Sequence, residues 1–65
     1  MLSLHAYNEL RRQTVRDGFA LGINNMVANG KLDRASAMDD LADLLHDGPS
    51  PKAEEMLHKL QQNAH

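Results

Sequence analysis

The sequence contains no cysteine and no tryptophan, and its only aromatic residues are Tyr7 and Phe19. Without cysteine, the chain can form neither disulfide bonds nor thiolate metal sites. The β-branched and aromatic residues that favour strands are scarce. Leucine, alanine and methionine are abundant, with ten, eight and four copies respectively, and all three favour helices. This composition predicts an all-α protein.

Long apolar runs are also missing. No stretch approaches the roughly 20 apolar residues that cross a bilayer, and no basic segment precedes an apolar one as in a signal peptide. We therefore expect a cytoplasmic protein that does not bind membranes. The 65 residues allow one domain, and scaffolds of this size often gain stability from a second subunit.

Two glycine-containing signals divide the chain. Asn29-Gly30 is typical of a helix C-terminus, and in Gly48-Pro49 a glycine past the helix end is followed by a proline that cannot continue it. The intervening segments predict three helices, over about residues 4–28, 34–46 and 51–63. Each predicted helix follows a residue that commonly caps helix N-termini: Ser3, Asp33 and Ser50. We predict a long first helix with a helical hairpin packed against it, assembled as a homodimer.

The second half of the first predicted helix is apolar around most of its circumference. Such a helix is buried on more than one side, and two short helices can hardly cover it. The segment is therefore predicted to form the core or a homodimer interface. Its residues are Gly18, Phe19, Leu21, Gly22, Ile23, Met26 and Val27.

Two glycines interrupt this segment on one helix face. Gly18 and Gly22 each cost about 1 kcal/mol relative to alanine in a helix interior, so another effect should offset that cost. Three explanations are open: close approach of the second or third helix of the same chain, close approach of a second copy, or a kink or break near Gly18.

Acidic residues line the second predicted helix opposite its apolar side. Like charges spaced i, i+4 and anions near a helix C-terminus are both mildly destabilising. The stripe is interpreted either as a solvated face or as a docking surface for a basic protein partner or a mimic of a phosphate backbone. It consists of Asp39, Asp40, Asp43 and Asp47.

A small basic cluster lies on the first helix, at Arg11, Arg12 and Arg16. These arginines either form a solvated flank that pairs with Glu9 or the acidic helix, or they contact an anion. Three arginines make few phosphate contacts, and the net charge of the chain is −2. Both observations argue against nucleic acid as the partner.

Residue patterns for catalysis are absent from the sequence. The three serines stand at expected helix starts, and no two histidines are spaced i, i+4. We therefore expect no enzymatic activity, no metal site and no cofactor. Three short helices rarely enclose a ligand pocket.

These patterns together predict a non-enzymatic protein–protein interaction module. It would act as a regulator or inhibitor that binds a protein through the acidic helix or an exposed apolar face. One alternative is a DNA-binding transcriptional regulator that uses helices 2 and 3 as a helix-turn-helix, although Glu54 and Glu55 would then face the DNA. The other is a purely structural oligomerisation or assembly protein.

Overall fold

The protein consists of three helices that pack against one another, as seen in a computed structural model that describes residues 1–62. Helix α1 spans Leu4–Ala28, α2 spans Arg34–Asp47 and α3 spans Pro51–Gln62. The prediction of an all-α protein with a long first helix is therefore confirmed. Helix α2 ends one residue later than predicted, and the predicted end of the third helix at residue 63 lies outside the described residues.

The starts of α1 and α2 differ in how they are capped. The Ser3 hydroxyl accepts a 3.1 Å hydrogen bond from the Ala6 amide, as expected of an N-cap. Asp33 precedes α2 with an extended backbone, but its side chain makes no capping hydrogen bond. Hydrogen bonding with the Ser36 side chain instead lowers the pKa of the Asp33 carboxyl below its usual value.

Helix α1 ends in a Schellman motif around Gly30. This glycine has a φ of 71°, in the left-handed region that favours glycine. The Gly30 amide donates to the Val27 carbonyl at 3.1 Å, and the Lys31 amide donates to the Met26 carbonyl at 2.8 Å. The Asn29-Gly30 signal therefore ends the helix by the mechanism that the sequence predicts.

Gly48 ends α2 in a different way. Its φ of 163° is extended backbone that any residue adopts, so this turn does not need glycine for its conformation. A Cβ atom at Gly48 would lie 2.7–2.9 Å from the Arg16 guanidinium. The Arg16 Nε donates a 2.8 Å hydrogen bond to the Pro49 carbonyl. The missing side chain thus makes room for an arginine from α1.

The core lies where the three helices meet, and each helix contributes one fully buried alanine. Leu41 and Ile23 complete the buried set, at 1% and 8% exposure. The small alanine side chains allow the helix backbones to approach closely. Partly buried residues surround this centre: Val27, Leu32, Leu44, Leu45, Met56, Leu57 and Leu60. The buried alanines are Ala20, Ala37 and Ala53.

A polar contact anchors the start of α3 to α1. The buried Ser50 hydroxyl accepts from the Ala53 amide at 3.2 Å, as expected of an N-cap, and donates to the Asp17 carboxylate at 2.6 Å. The same carboxylate oxygen accepts from the Lys52 amide at 3.2 Å. Asp17 therefore places a negative charge at the N-terminus of α3, where the helix dipole favours it.

Candidate protein interface

One half of the α1 circumference faces away from the core and carries exposed apolar side chains. At 100° per residue, this half lies opposite Ala20 and Val27, which face the hairpin. We call it the apolar face of α1. Its seven large apolar residues are Leu4, Tyr7, Leu10, Val15, Phe19, Leu21 and Met26. The hairpin of the same chain therefore covers only one side of α1.

The segment predicted as core or interface is divided between these two sides. Ile23 is buried and Val27 packs against the core of the same chain. Phe19 is 62% exposed, and Leu21 and Met26 also remain exposed. The surplus of apolar surface noted in the sequence is thus concentrated on the apolar face of α1.

Open space lies over both glycines of this face. A Cβ atom added at Gly18 or Gly22 would meet no atom within 4 Å. The explanation that a helix of the same chain crosses there is therefore wrong for the described residues. Helix α1 also runs unbroken from Leu4 to Ala28 through both glycines, so neither marks a break. Of the three explanations, close approach of a second copy and a kink without a break are still open.

Replacing Gly18 with alanine should raise the free energy of unfolding of the single chain by about 0.5–1 kcal/mol, because alanine is the better helix former and meets no neighbour here. Urea unfolding followed by circular dichroism at low protein concentration measures this change. A loss of stability under these conditions would show that another part of the same chain does pack on Gly18.

A groove runs between α1 and α2 beside the apolar face. Val15 and Phe19 of α1 and Leu44 of α2 contribute its apolar lining, and its volume is about 510 Å³. A second depression of about 300 Å³ shares Phe19, Leu44 and Asp47 with it and extends to Ile23. The two depressions adjoin at these shared residues, and together we call them the α1–α2 groove.

The two walls of the α1–α2 groove carry opposite charges. The basic wall comes from α1 and the acidic wall from α2. The predicted arginine cluster lines the first depression together with Asp47, whereas Asp40 and Asp43 line the second depression, and Asp39 lies outside both linings. The basic wall contains Arg11, Arg12 and Arg16, and the acidic wall contains Asp40, Asp43 and Asp47.

The charged groups of the groove differ in their partners. Arg12 forms an ion pair with Glu9, as one interpretation of the cluster predicted. Arg16 is held by the Pro49 carbonyl. Within residues 1–62, Arg11 makes no hydrogen bond or ion pair, and neither do the three aspartates of the acidic wall. The acidic wall and Arg11 thus keep their charges available to another molecule.

The same residues also bear on metal binding and on membrane insertion. In the described part of the chain, no three His, Asp or Glu side chains are grouped so that they could hold a metal ion. None of the three helices, as far as residue 62, is long and apolar enough to cross a bilayer.

Sequence reasoning did not name Asp17, and it named Arg16 only as a member of the basic cluster, so the structural roles of both residues were missed. Asp17 and Arg16 contact the Gly48–Lys52 region, which lies more than 30 residues away in the chain. The only local signal is that Asp17 stands one turn before Ala20, on the side of α1 that becomes buried. A carboxylate at such a position needs a partner.

Comparison with known proteins gives no match to this chain among protein-family models, curated proteins or solved structures.

Proposed function

We propose that this protein is a small, non-enzymatic interaction module that binds another protein chain through the apolar face of α1 and the adjoining α1–α2 groove. The observation that carries this proposal is the exposure of seven large apolar side chains on one half of α1. Extensive contiguous apolar patches on a folded protein mark interaction sites. In the cytoplasm, which we propose as its compartment, such a module would act as a regulator or inhibitor.

The groove supports this proposal because it joins features that looked separate in the sequence. The apolar residues Phe19 and Leu44 lie between the acidic wall and the basic wall. Protein interfaces commonly have an apolar centre and a polar rim. An apolar floor with charged walls on both sides matches this arrangement, so the acidic helix and the apolar face would act as one surface.

The helix-turn-helix alternative is disfavoured by the surroundings of the α3 N-terminus. In a helix-turn-helix, the first residues of the second helix reach the base edges. Here Lys52, Glu54 and Glu55 are exposed, but the Lys52 amide donates to the Asp17 carboxylate of α1, which places a negative charge at this end of the helix. The adjacent Glu54 and Glu55 would add repulsion from the phosphates. These contacts favour a protein partner over DNA.

Photo-crosslinking in the producing cells tests the proposal. We expect p-benzoylphenylalanine in place of Phe19 to form a covalent adduct with another protein chain, because this side chain lies in the groove floor. The same amino acid in place of the exposed Gln61 of α3 is the control and should form none. An absence of any adduct from position 19 would contradict an interaction module that acts through this surface.

A further inference from the structure

We propose that a second copy of this chain occupies the α1–α2 groove, so that the basic wall of each copy meets the acidic wall of the other. This inference rests on the proposed function and specifies the partner of the same surface. Three observations support it: the excess surface area of the single chain, the opposite charges of the two walls, and the open space over the glycines.

The surface area of the single chain is larger than its mass predicts. A folded monomer of 7.2 kDa exposes about 4,100 Å², whereas this chain exposes 4831 Å², which is an excess of about 700 Å². Each partner in an interface of standard size contributes about 800 Å². The radius of gyration, 13.1 Å, likewise exceeds the roughly 11 Å of a compact chain of 65 residues. One further copy would therefore bury about as much surface as the single chain has in excess.

The charges of the groove make the surface complementary to itself. A two-fold axis that crosses the groove near Phe19, where the two depressions adjoin, exchanges the depressions, so Arg11 and Arg12 of each copy approach Asp43 and Asp47 of the other. A uniformly basic or uniformly acidic partner would be repelled by one of the walls. The second copy satisfies both walls at once, and Phe19 then packs against the apolar floor of the partner.

The same pairing would offset the local cost of the acidic wall. Asp43 and Asp47 are i, i+4 neighbours near the C-terminus of α2, where both their mutual repulsion and the helix dipole are unfavourable. No cation among residues 1–62 forms an ion pair with either of them. Arginines from a second copy would offset this repulsion.

The glycines permit the close approach that such packing needs. Gly18 and Gly22 lie on the apolar face outside the groove lining, and no other part of the described chain comes within 4 Å of a Cβ atom added there. A neighbouring helix from the second copy can therefore come close to the α1 backbone there. This contact would offset the helix-propensity cost of two glycines in the interior of α1.

Charge reversal of each wall tests the proposal. One variant combines Arg11→Glu with Arg12→Glu, and the other combines Asp43→Lys with Asp47→Lys. All four side chains are exposed, so circular dichroism should show both variants folded. We expect the natural chain to reach twice its 7.2 kDa mass with rising concentration in sedimentation velocity. Each variant alone should associate at least about tenfold more weakly, because like charges then face each other at both contacts.

An equimolar mixture of the two variants is the decisive sample. In the mixed dimer, the new glutamates face the new lysines and the natural aspartates face the natural arginines. Its mass should therefore return to that of the dimer. Each variant has the same sequence alone and in the mixture. A recovery of the dimer mass on mixing therefore reports contact between the two chains and not a change in the folding of either one.

Two results would overturn the second-copy proposal. The first is a natural chain that stays at monomer mass over the whole concentration range. The second is a dimer that charge reversal does not weaken, or that mixing does not restore. In either case, an adduct of position 19 with a different protein would leave the proposed function standing, whereas the lack of any adduct would remove both proposals.

Discussion

Replacing Leu41 with alanine is expected to lower the free energy of unfolding by about 3–5 kcal/mol, near the upper end for buried leucines. Leu41 is 1% exposed and, with Ser50, is one of the two largest fully buried side chains. The other buried apolar residues of the core are three alanines and Ile23, and alanine side chains are too short to fill the cavity. The loss of stability should therefore include part of the free-energy cost of an unfilled cavity.

The consequence for this small domain is severe. A chain of 65 residues is stable by roughly 3–10 kcal/mol, so the variant should lose at least about a third of its stability and unfold at a much lower urea concentration. Urea unfolding followed by circular dichroism measures the change. Leu21→Ala is the matched control, since Leu21 is 48% exposed and should lose less than about 1 kcal/mol. Equal losses in the two variants would place the core elsewhere than around Leu41.

Replacing Asp17 with alanine is expected to cost about 2–3 kcal/mol. The substitution removes the acceptor of the 2.6 Å hydrogen bond from Ser50, whose side chain is fully buried, and of the bond from the Lys52 amide. A hydrogen bond to a charged group contributes about 1.5–3 kcal/mol, and a buried donor left without a partner is costly. The loss of a negative charge at the start of α3 adds to this.

Thermal unfolding measures the effect of Asp17→Ala. In domains of this size, each kcal/mol of lost stability lowers the melting temperature by about 4–8 °C. The melting temperature of the variant should therefore fall by roughly 10–20 °C. Asp17→Asn keeps one acceptor oxygen and should lose about half as much. Asp39→Ala removes an exposed acid from α2 and should change little. If the Asp17→Ala and Asp39→Ala variants had the same melting temperature, Asp17 would not anchor α3.

Local signals explain why the helices could be predicted from the sequence. The Gly30 turn and the Ser3 and Ser50 caps depend on residues within a few positions of one another, so the sequence displays them directly. The contacts of Arg16 and Asp17 with the second turn join residues 33 to 35 positions apart. Neither contact has a local pattern, so only the packed structure reveals it.

The candidate site was predictable as a set of residues but not as an arrangement. The sequence identified the arginine cluster and the acidic stripe as separate features, and nothing in it indicates that they border one groove. The sequence also does not show that Ile23 is buried and Phe19 exposed, because the two side chains point in directions only about 40° apart around the helix. Which of the two is buried depends on the side of α1 that the hairpin covers.

The position of the core along α1 has a further consequence. The first buried residue of α1 is Ala20, and the first residue of α1 that bonds to the hairpin is Arg16, so within residues 1–62 the first three turns contribute neither a core residue nor a hydrogen bond to the hairpin. Helices of fewer than about 12–15 residues are marginal in water without tertiary support. In the free chain these turns are therefore held mainly by the intrinsic helix preference of their own residues, and they open at low free-energy cost. A partner that packs along these turns must also hold them in the helical conformation. Folding of the N-terminal part of α1 and binding of the partner are then coupled.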